Sequence, residues 1–149
     1  MESLINKNIL LGVTGGIAAY KSAEIVRGLK KAGSSVRVVM TQSAQEFITP
    51  LTLQALSGNP VSTDLLDAEA EAAMGHIELA RWADAILIAP ATANTIARLS
   101  SGRADDLLSS ITLAFDGPVG LAPAMNQAMW KDKRTQSNIK NLEHKDFSL

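Results

Sequence analysis

The stretch Ile9-Leu10-Leu11-Gly12-Val13-Thr14-Gly15-Gly16-Ile17 carries the decision about the fold. Its first five residues are a short, nearly continuous apolar run, the pattern of a strand buried on both faces of a parallel sheet. Thr14-Gly15-Gly16 interrupts it, and a helical pattern runs from about Ile17 to Ala32. There Ala19, Ala23, Val26 and Leu29 recur at three- and four-residue steps, while Lys21, Glu24, Lys30 and Lys31 are left to face water. Gly33 stands where a helix C-terminal glycine belongs, and Ser35-Val36-Arg37-Val38-Val39-Met40 reads as a second strand. The whole is one βαβ unit of about 30 residues.

Outward from this unit, Thr41 to Phe47 predicts a short helix, and Pro50 opens another that ends near Ser57-Gly58. Asn59 to Gly75 has no regular pattern and reads as a long surface connection. His76 to Ala83 is helical, Ala85 to Ala89 a strand, and Pro90-Ala91-Thr92-Ala93-Asn94 leads into a helix through Leu99 that Gly102 ends. Asp105 to Phe115 predicts a helix, Val119 to Ala122 a strand, and Pro123-Ala124-Met125-Asn126 opens the last helical region. Alternating strands and helices imply a doubly wound, three-layer α/β domain whose parallel sheet is covered on both faces. Ligands of such sheets bind at the carboxyl ends of the strands. Three of those ends carry small or polar loops: Thr14 to Ala18, Pro90 to Asn94 and Pro123 to Asn126.

The 149 residues are 46% hydrophobic and 19% charged, as in one globular domain, with a net charge of -1. That balance lacks the basic excess that holds a phosphate backbone, so nucleic acid is not an expected partner. No apolar run approaches the roughly 20 residues of a membrane span, and Met1 to Asn8 holds no leader-like apolar core. Cysteine is absent, which removes disulfides, thiolate metal sites and a cysteine nucleophile, and His76 and His144 are the two histidines. No metal site and a cytoplasmic location are expected.

Each loop has two readings. Glycines at Gly15 and Gly16 let a ligand approach the backbone, and the free N–H groups of a helix start favour phosphate; the same residues also make a plain strand-to-helix turn. The dinucleotide spacing G-x-G-x-x-G is missing. Small side chains at Pro90 to Asn94 leave room for a flat ring, and Thr92 and Asn94 either bond its polar edge or cap the next helix. His76 is either a general base near neutral pH or a helix-end histidine held by a backbone carbonyl. Asn126 either fixes a carboxylate or caps the helix that carries Met129 and Trp130. Asp105 and Asp106 are adjacent, point in different directions on a helix, and form no acid/base pair by themselves.

Taken together, four segments resemble the flavin-containing cysteine decarboxylase family, in particular the flavoprotein half of bacterial bifunctional phosphopantothenoylcysteine (PPC) decarboxylases. They are Gly12 to Lys21, Ala70 to Asp84 with Gly75-His76-Ile77 and Arg81-Trp82-Ala83-Asp84, Ala89 to Asn94, and Pro123-Ala124-Met125-Asn126-Gln127-Ala128-Met129-Trp130. They stand in the family's order and span about residues 8 to 139. The resemblance implies a Rossmann-like domain binding flavin mononucleotide (FMN) near subunit contacts of a homotrimer or a dodecamer of trimers. It assigns Gly15, Gly16, Ile17, Ala18, Thr41, Phe47, Pro90, Ala91, Thr92, Ala93 and Ala124 to the cofactor, His76 to the role of base, and Asn126 and Met129 to the substrate. The implied reaction is decarboxylation of 4'-phosphopantothenoylcysteine towards 4'-phosphopantetheine in coenzyme A synthesis. Flavin takes hydride from the carbon bearing sulfur, and the resulting thioaldehyde makes carbon dioxide loss easy.

Residues 1–149 are expected to form one flavoprotein domain without the family's Ala-Cys-Gly substrate flap. With no flap cysteine to donate a proton, the oxidative half of the reaction is the expected limit. A peptidyl-cysteine decarboxylase of the lantibiotic type and a flavin-binding regulatory homologue without turnover are the competing functions, with Gly75 to Asp84 favouring the coenzyme A branch.

Overall fold

The protein is described by a computed structural model that covers residues 4–63, 75–144 and 147–148. Its elements are β1 (Asn8–Val13), a 3-10 turn at Ile17–Lys21, α1 (Ser22–Lys31), β2 (Ser35–Met40), a 3-10 turn at Ser43–Glu46 and α2 (Pro50–Ser57). Then come α3 (His76–Trp82), β3 (Ala85–Ala91), α4 (Ala93–Ser100), α5 (Leu107–Ala114), β4 (Val119–Pro123), α6 (Gln127–Lys131), α7 (Lys133–Glu143) and β5 (Phe147–Ser148). The five strands form one sheet in the order β2-β1-β3-β4-β5, every pairing parallel. This is the doubly wound α/β architecture read from the sequence.

The buried pattern follows from the apolar runs. Leu10 and Leu11 are adjacent in β1, point to opposite faces, and are both 0% exposed. Leu10 joins Ile86, Ile88, Ile96, Leu108, Ile111 and Leu142 in a core on the face covered by α3, α4, α5 and α7. Leu11 joins Val13, Val26, Val36, Val38 and Leu53 beneath α1 and α2. The chain leaves β1 for β2 in one direction across the sheet and β3 for β4 in the other. A constant right-handed crossover therefore puts the first connection on one face and the second on the opposite face. Gly12 lies where Leu108 of α5 presses on β1: a Cβ there would stand 2.6 Å from Leu108 Cδ1.

Local signals set the helix ends. Thr49 Oγ1 accepts from the Thr52 N–H, Pro50 fills the first turn of α2, and Gly58 closes it at φ 76°. Gly33 follows α1 at φ 95°. Asp106 caps α5 with a reciprocal bond to Ser109.

The outcome differs from the sequence reading in five places. The predicted helix from Ile17 begins as a 3-10 turn before α1 proper, and the turn at Ser43–Glu46 replaces the short helix expected from Thr41. Strand β3 continues to Ala91, two residues further than its apolar run, with an irregular register against β4 between Ile88 and Ala91. Phe147–Ser148 pairs with Val119 and Gly120 as a fifth strand, beyond the last element expected from the sequence. The irregular connection expected from Asn59 to Gly75 holds a bridge of Ser62 to Val39, and its residues 64–74 lie outside the described residues.

Candidate functional site

In the order β2-β1-β3-β4-β5 the connections diverge between β1 and β3, and an open α/β sheet has its crevice at the carboxyl ends of the strands flanking that point. The loops that begin at Thr14 and end at Asn94 are the two that meet there. Thr14, 1% exposed, donates its hydroxyl to the Pro90 carbonyl at 2.5 Å and accepts from the Thr92 N–H at 3.2 Å. The third loop is tied in by Ala124 N–H to the Ala91 carbonyl (3.0 Å), and the turn after β2 by Thr41 N–H to the Val13 carbonyl (3.0 Å).

These loops enclose an open cleft of about 590 Å3, within the range of small-molecule sites. The first loop lines it with Gly15, Gly16, Ile17 and Ala18, the second with Thr92, Ala93 and Asn94, and the third with Ala124, Met125, Asn126 and, from α6, Met129. A polar chamber of about 260 Å3 adjoins it, sharing Gly15, Ser43, Thr92 and Asn94 and adding Thr41, Gln42, Thr95 and Arg98. Arg98 closes the chamber between Asp105 (Nε to Oδ1, 3.3 Å) and Asp106 (Nη1 to Oδ2, 2.5 Å), so its charge is already balanced. Gly15 must be glycine for close approach: a Cβ would come within 2.5 Å of the Ser43 Cβ.

The polar residues of the loops do the capping that their positions allow. Thr92 Oγ1 accepts from the Thr95 N–H at the start of α4, and Asn126 Oδ1 accepts from the Met129 N–H at the start of α6. With Oδ1 so used, the donor Nδ2 is what the exposed Asn126 amide offers a ligand. Capping and binding are therefore not alternatives here; the helix orients the amide.

Of the residues named from the sequence, Gly15, Gly16, Ile17, Ala18, Thr92, Ala93, Ala124, Asn126 and Met129 line the cleft together, and Thr41 lines the chamber. Pro90 and Ala91 are buried in the end of β3, contributing backbone carbonyls to the links just described. Phe47 is 46% exposed and lines neither cavity. His76 is the first residue of α3, half-buried, on the helix that packs with α5, and is not among the lining of either cavity. The carboxamide thus stands at the rim within one chain and the imidazole does not.

Sequence reasoning passed over Tyr20, Lys21 and Ser43, which also line the cleft. Tyr20 and Lys21 belong to the quoted opening motif, and the 3-10 turn at Ile17–Lys21 is what swings them toward the cleft. Among the described residues, Lys21 is the one charged side chain that lines it. Arg98, Asp105 and Asp106 come together only through the packing of α4 against α5.

Fold and cleft define a class: a doubly wound α/β protein with a ligand crevice at its switch point. The family model described as Flavoprotein matches residues 1–149, and the chain belongs to that family. It is 57% identical over 149 residues to the coenzyme A biosynthesis bifunctional protein CoaBC of Vibrio vulnificus (strain YJ016), covering 100% of this chain and 37% of that protein. The chain thus spans little more than a third of that relative. Among solved structures it is similar to the FMN-dependent cysteine decarboxylase SpaF (TM-score 0.89, 32% identity, 97% of this chain and 83% of that one). It is also similar to a mutant PPC decarboxylase complexed with pantothenoylaminoethenethiol (TM-score 0.82, 32% identity, 97% and 81%).

Proposed function

We propose that this chain binds FMN in the switch-point cleft and carries the flavin-dependent decarboxylation of 4'-phosphopantothenoylcysteine in coenzyme A synthesis. The observation that carries the reading is the meeting of three separate strand-tip loops on one apolar cleft joined to a polar chamber. The residues fit the cofactor. Ala18, Ala93 and Ala124 leave width for a flat ring, and the glycine cradle at Gly15 and Gly16 admits a phosphate to the backbone N–H groups at the start of a helical segment. Thr41, Ser43, Gln42 and Asn94 suit the hydroxyls of a polyol tail. The 57% identity to a coenzyme A protein over the whole chain supports this branch above the peptidyl-cysteine one.

Bound flavin supplies a hydride acceptor for the carbon that bears sulfur. The chain's own residues do the rest. Asn126 Nδ2 donates to the substrate carboxylate, Met129 packs against the substrate, and Lys21 meets an anionic group at the cleft wall. His76 takes the thiol proton as the carbon–hydrogen bond gives up its hydride, which leaves the thiocarbonyl that accepts electrons when carbon dioxide departs.

Since His76 is not among the described residues that line the cleft of its own chain, the reading adds a second copy that completes the site in a homo-oligomer, a trimer or trimers assembled into a dodecamer. Ile17 (80% exposed), Tyr20 and Met129 are exposed apolar side chains of the cleft lining, and Trp130, next to Met129 in α6, is exposed as well; together they suit such a contact. The cytoplasm is the compartment that fits coenzyme A synthesis; no helix of the described residues is long and apolar enough to cross a membrane.

The test is an absorbance scan of the purified protein followed by anaerobic addition of PPC. A flavin spectrum that bleaches on addition is expected, and a protein without flavin overturns the reading. His76→Asn is expected to keep the flavin and slow bleaching by about 10²- to 10⁴-fold; bleaching at the original rate rejects His76 as the base.

A further inference from the structure

Among the described residues, the strand tips around the cleft are joined by two kinds of link. Thr41 N–H to the Val13 carbonyl and Ala124 N–H to the Ala91 carbonyl are backbone to backbone, and any non-proline residue supplies them. The link between the two loops that flank the switch point is different, because both of its bonds pass through one side-chain atom, Thr14 Oγ1. That atom donates to the Pro90 carbonyl and accepts from the Thr92 N–H, so it needs a hydroxyl: a group with only a donor or only an acceptor makes half of the link. Thr14 is 1% exposed and lies behind the cleft rather than on its wall.

Resting on the flavin reading above, we propose that Thr14 is a positioning residue for the cofactor. It sets the distance between the glycine loop that receives the phosphate and the Thr92-Ala93-Asn94 loop at the ring. Gly15 follows Thr14 directly, and Thr92 is itself the N-cap of α4. The hydroxyl therefore places two helical starts, the 3-10 turn at Ile17–Lys21 and α4, relative to one another from a single point. A flavin that spans both loops finds them already in place. Without the hydroxyl the Pro90 carbonyl and the Thr92 N–H lose their common partner in a closed space, and the Thr92 loop is free to settle elsewhere.

The experiment compares wild type with Thr14→Val, which keeps the shape and removes the hydroxyl, and Thr14→Ser, which keeps the hydroxyl and removes the methyl. FMN titration of the apoproteins and the visible circular dichroism of bound flavin are the readouts. Thr14→Val is expected to weaken FMN about 10- to 100-fold and to shift the visible dichroism, while Thr14→Ser stays within about three-fold of wild type with its spectrum intact. Equal affinity and an unchanged spectrum in Thr14→Val overturn the proposal. Loss in Thr14→Ser as large as in Thr14→Val overturns it too, since packing of the methyl would then be the cause. If Thr14→Val does not fold, hydrogen exchange of the Thr92 amide in wild type decides: protection is expected in apo and flavin-bound protein alike, and fast exchange in both rejects the link. A wild type that binds no FMN defeats the flavin reading itself, an outcome distinct from a wild type that binds and a valine variant that binds as well.

Discussion

At the amino ends of β1 and β3, Asn8 donates from Nδ2 to the Trp82 carbonyl (3.0 Å) and from its backbone to Asp84 Oδ2 (2.7 Å). The Arg37 guanidinium lies 5.4 Å from the centre of the Trp82 ring. At the carboxyl ends of the same two strands stand Thr14, Gly15, Gly16, Ala93 and Asn94. One end of the sheet is closed by long and aromatic side chains that bond to each other and to the backbone; the other is lined by residues too small to fill the space. The difference separates stability from function. Groups at the closed end tie β1 to the start of β3 through Asn8, Trp82 and Asp84, while the small residues at the open end leave a cleft between the loops.

Substitutions sharpen or break that contrast. The largest expected effect is in the middle, common to both ends: Leu10→Ala removes a wholly buried side chain and is expected to cost about 2–5 kcal/mol in urea denaturation. It should leave FMN affinity of the folded protein unchanged; a large affinity loss would mean that core and cleft are not separable. At the open end, Gly15→Ala forces a Cβ onto Ser43. The overpacking, about 1–3 kcal/mol, is relieved by parting the loops, so the apoprotein's midpoint falls by no more than that strain and FMN binding weakens roughly 10- to 100-fold, read by thermal melting and titration. At the closed end, Asn8→Ala should do the reverse, costing about 1 kcal/mol in stability and nothing in FMN affinity. Weaker FMN binding there would end the division of labour.

The smallest effect belongs to neither end. Asp132, at the start of α7, is held down to about 2 from the ordinary 3.8, first by its side-chain hydrogen bond from Arg134 and then by the Arg134 backbone N–H. A depressed carboxylate contributes stability above its unfolded pKa, and that contribution is lost as pH falls through the folded value. The gap in melting temperature between wild type and Asp132→Asn should therefore narrow between pH 4 and pH 2. Since the pair is solvent-exposed, the gap is small at every pH; one that widens on acidification contradicts the assignment.

Much of this was legible in advance. The apolar runs at Ile9 to Val13 and Ala85 to Ala89, each followed by small residues and a helical pattern, sufficed for the strands, the layers and the loops that carry the cleft. Gly33, Pro50 and Gly58 marked helix ends because their backbone demands are local. Less legible was the end of β3. Pro90 and Ala91 lack the apolar signature of a strand, yet they extend it, because a neighbour on β4 receives them. Phe147–Ser148 gave no signal for the same reason: two residues become a strand only when an edge is there to pair with.

The kinds of element, their order and the chemistry at each strand tip are written in the amino-acid order, since these depend on periodicity and on residues a few positions apart. Which tips become neighbours is settled by folding. The strand order that brings Thr14 to Pro90 and Thr92, 76 and 78 residues further along, and the placing of His76 on α3, outside the lining of its own chain's cleft, arise from contacts between segments far apart along the chain. No local pattern encodes such contacts, because burial is shared among elements and belongs to none of them alone.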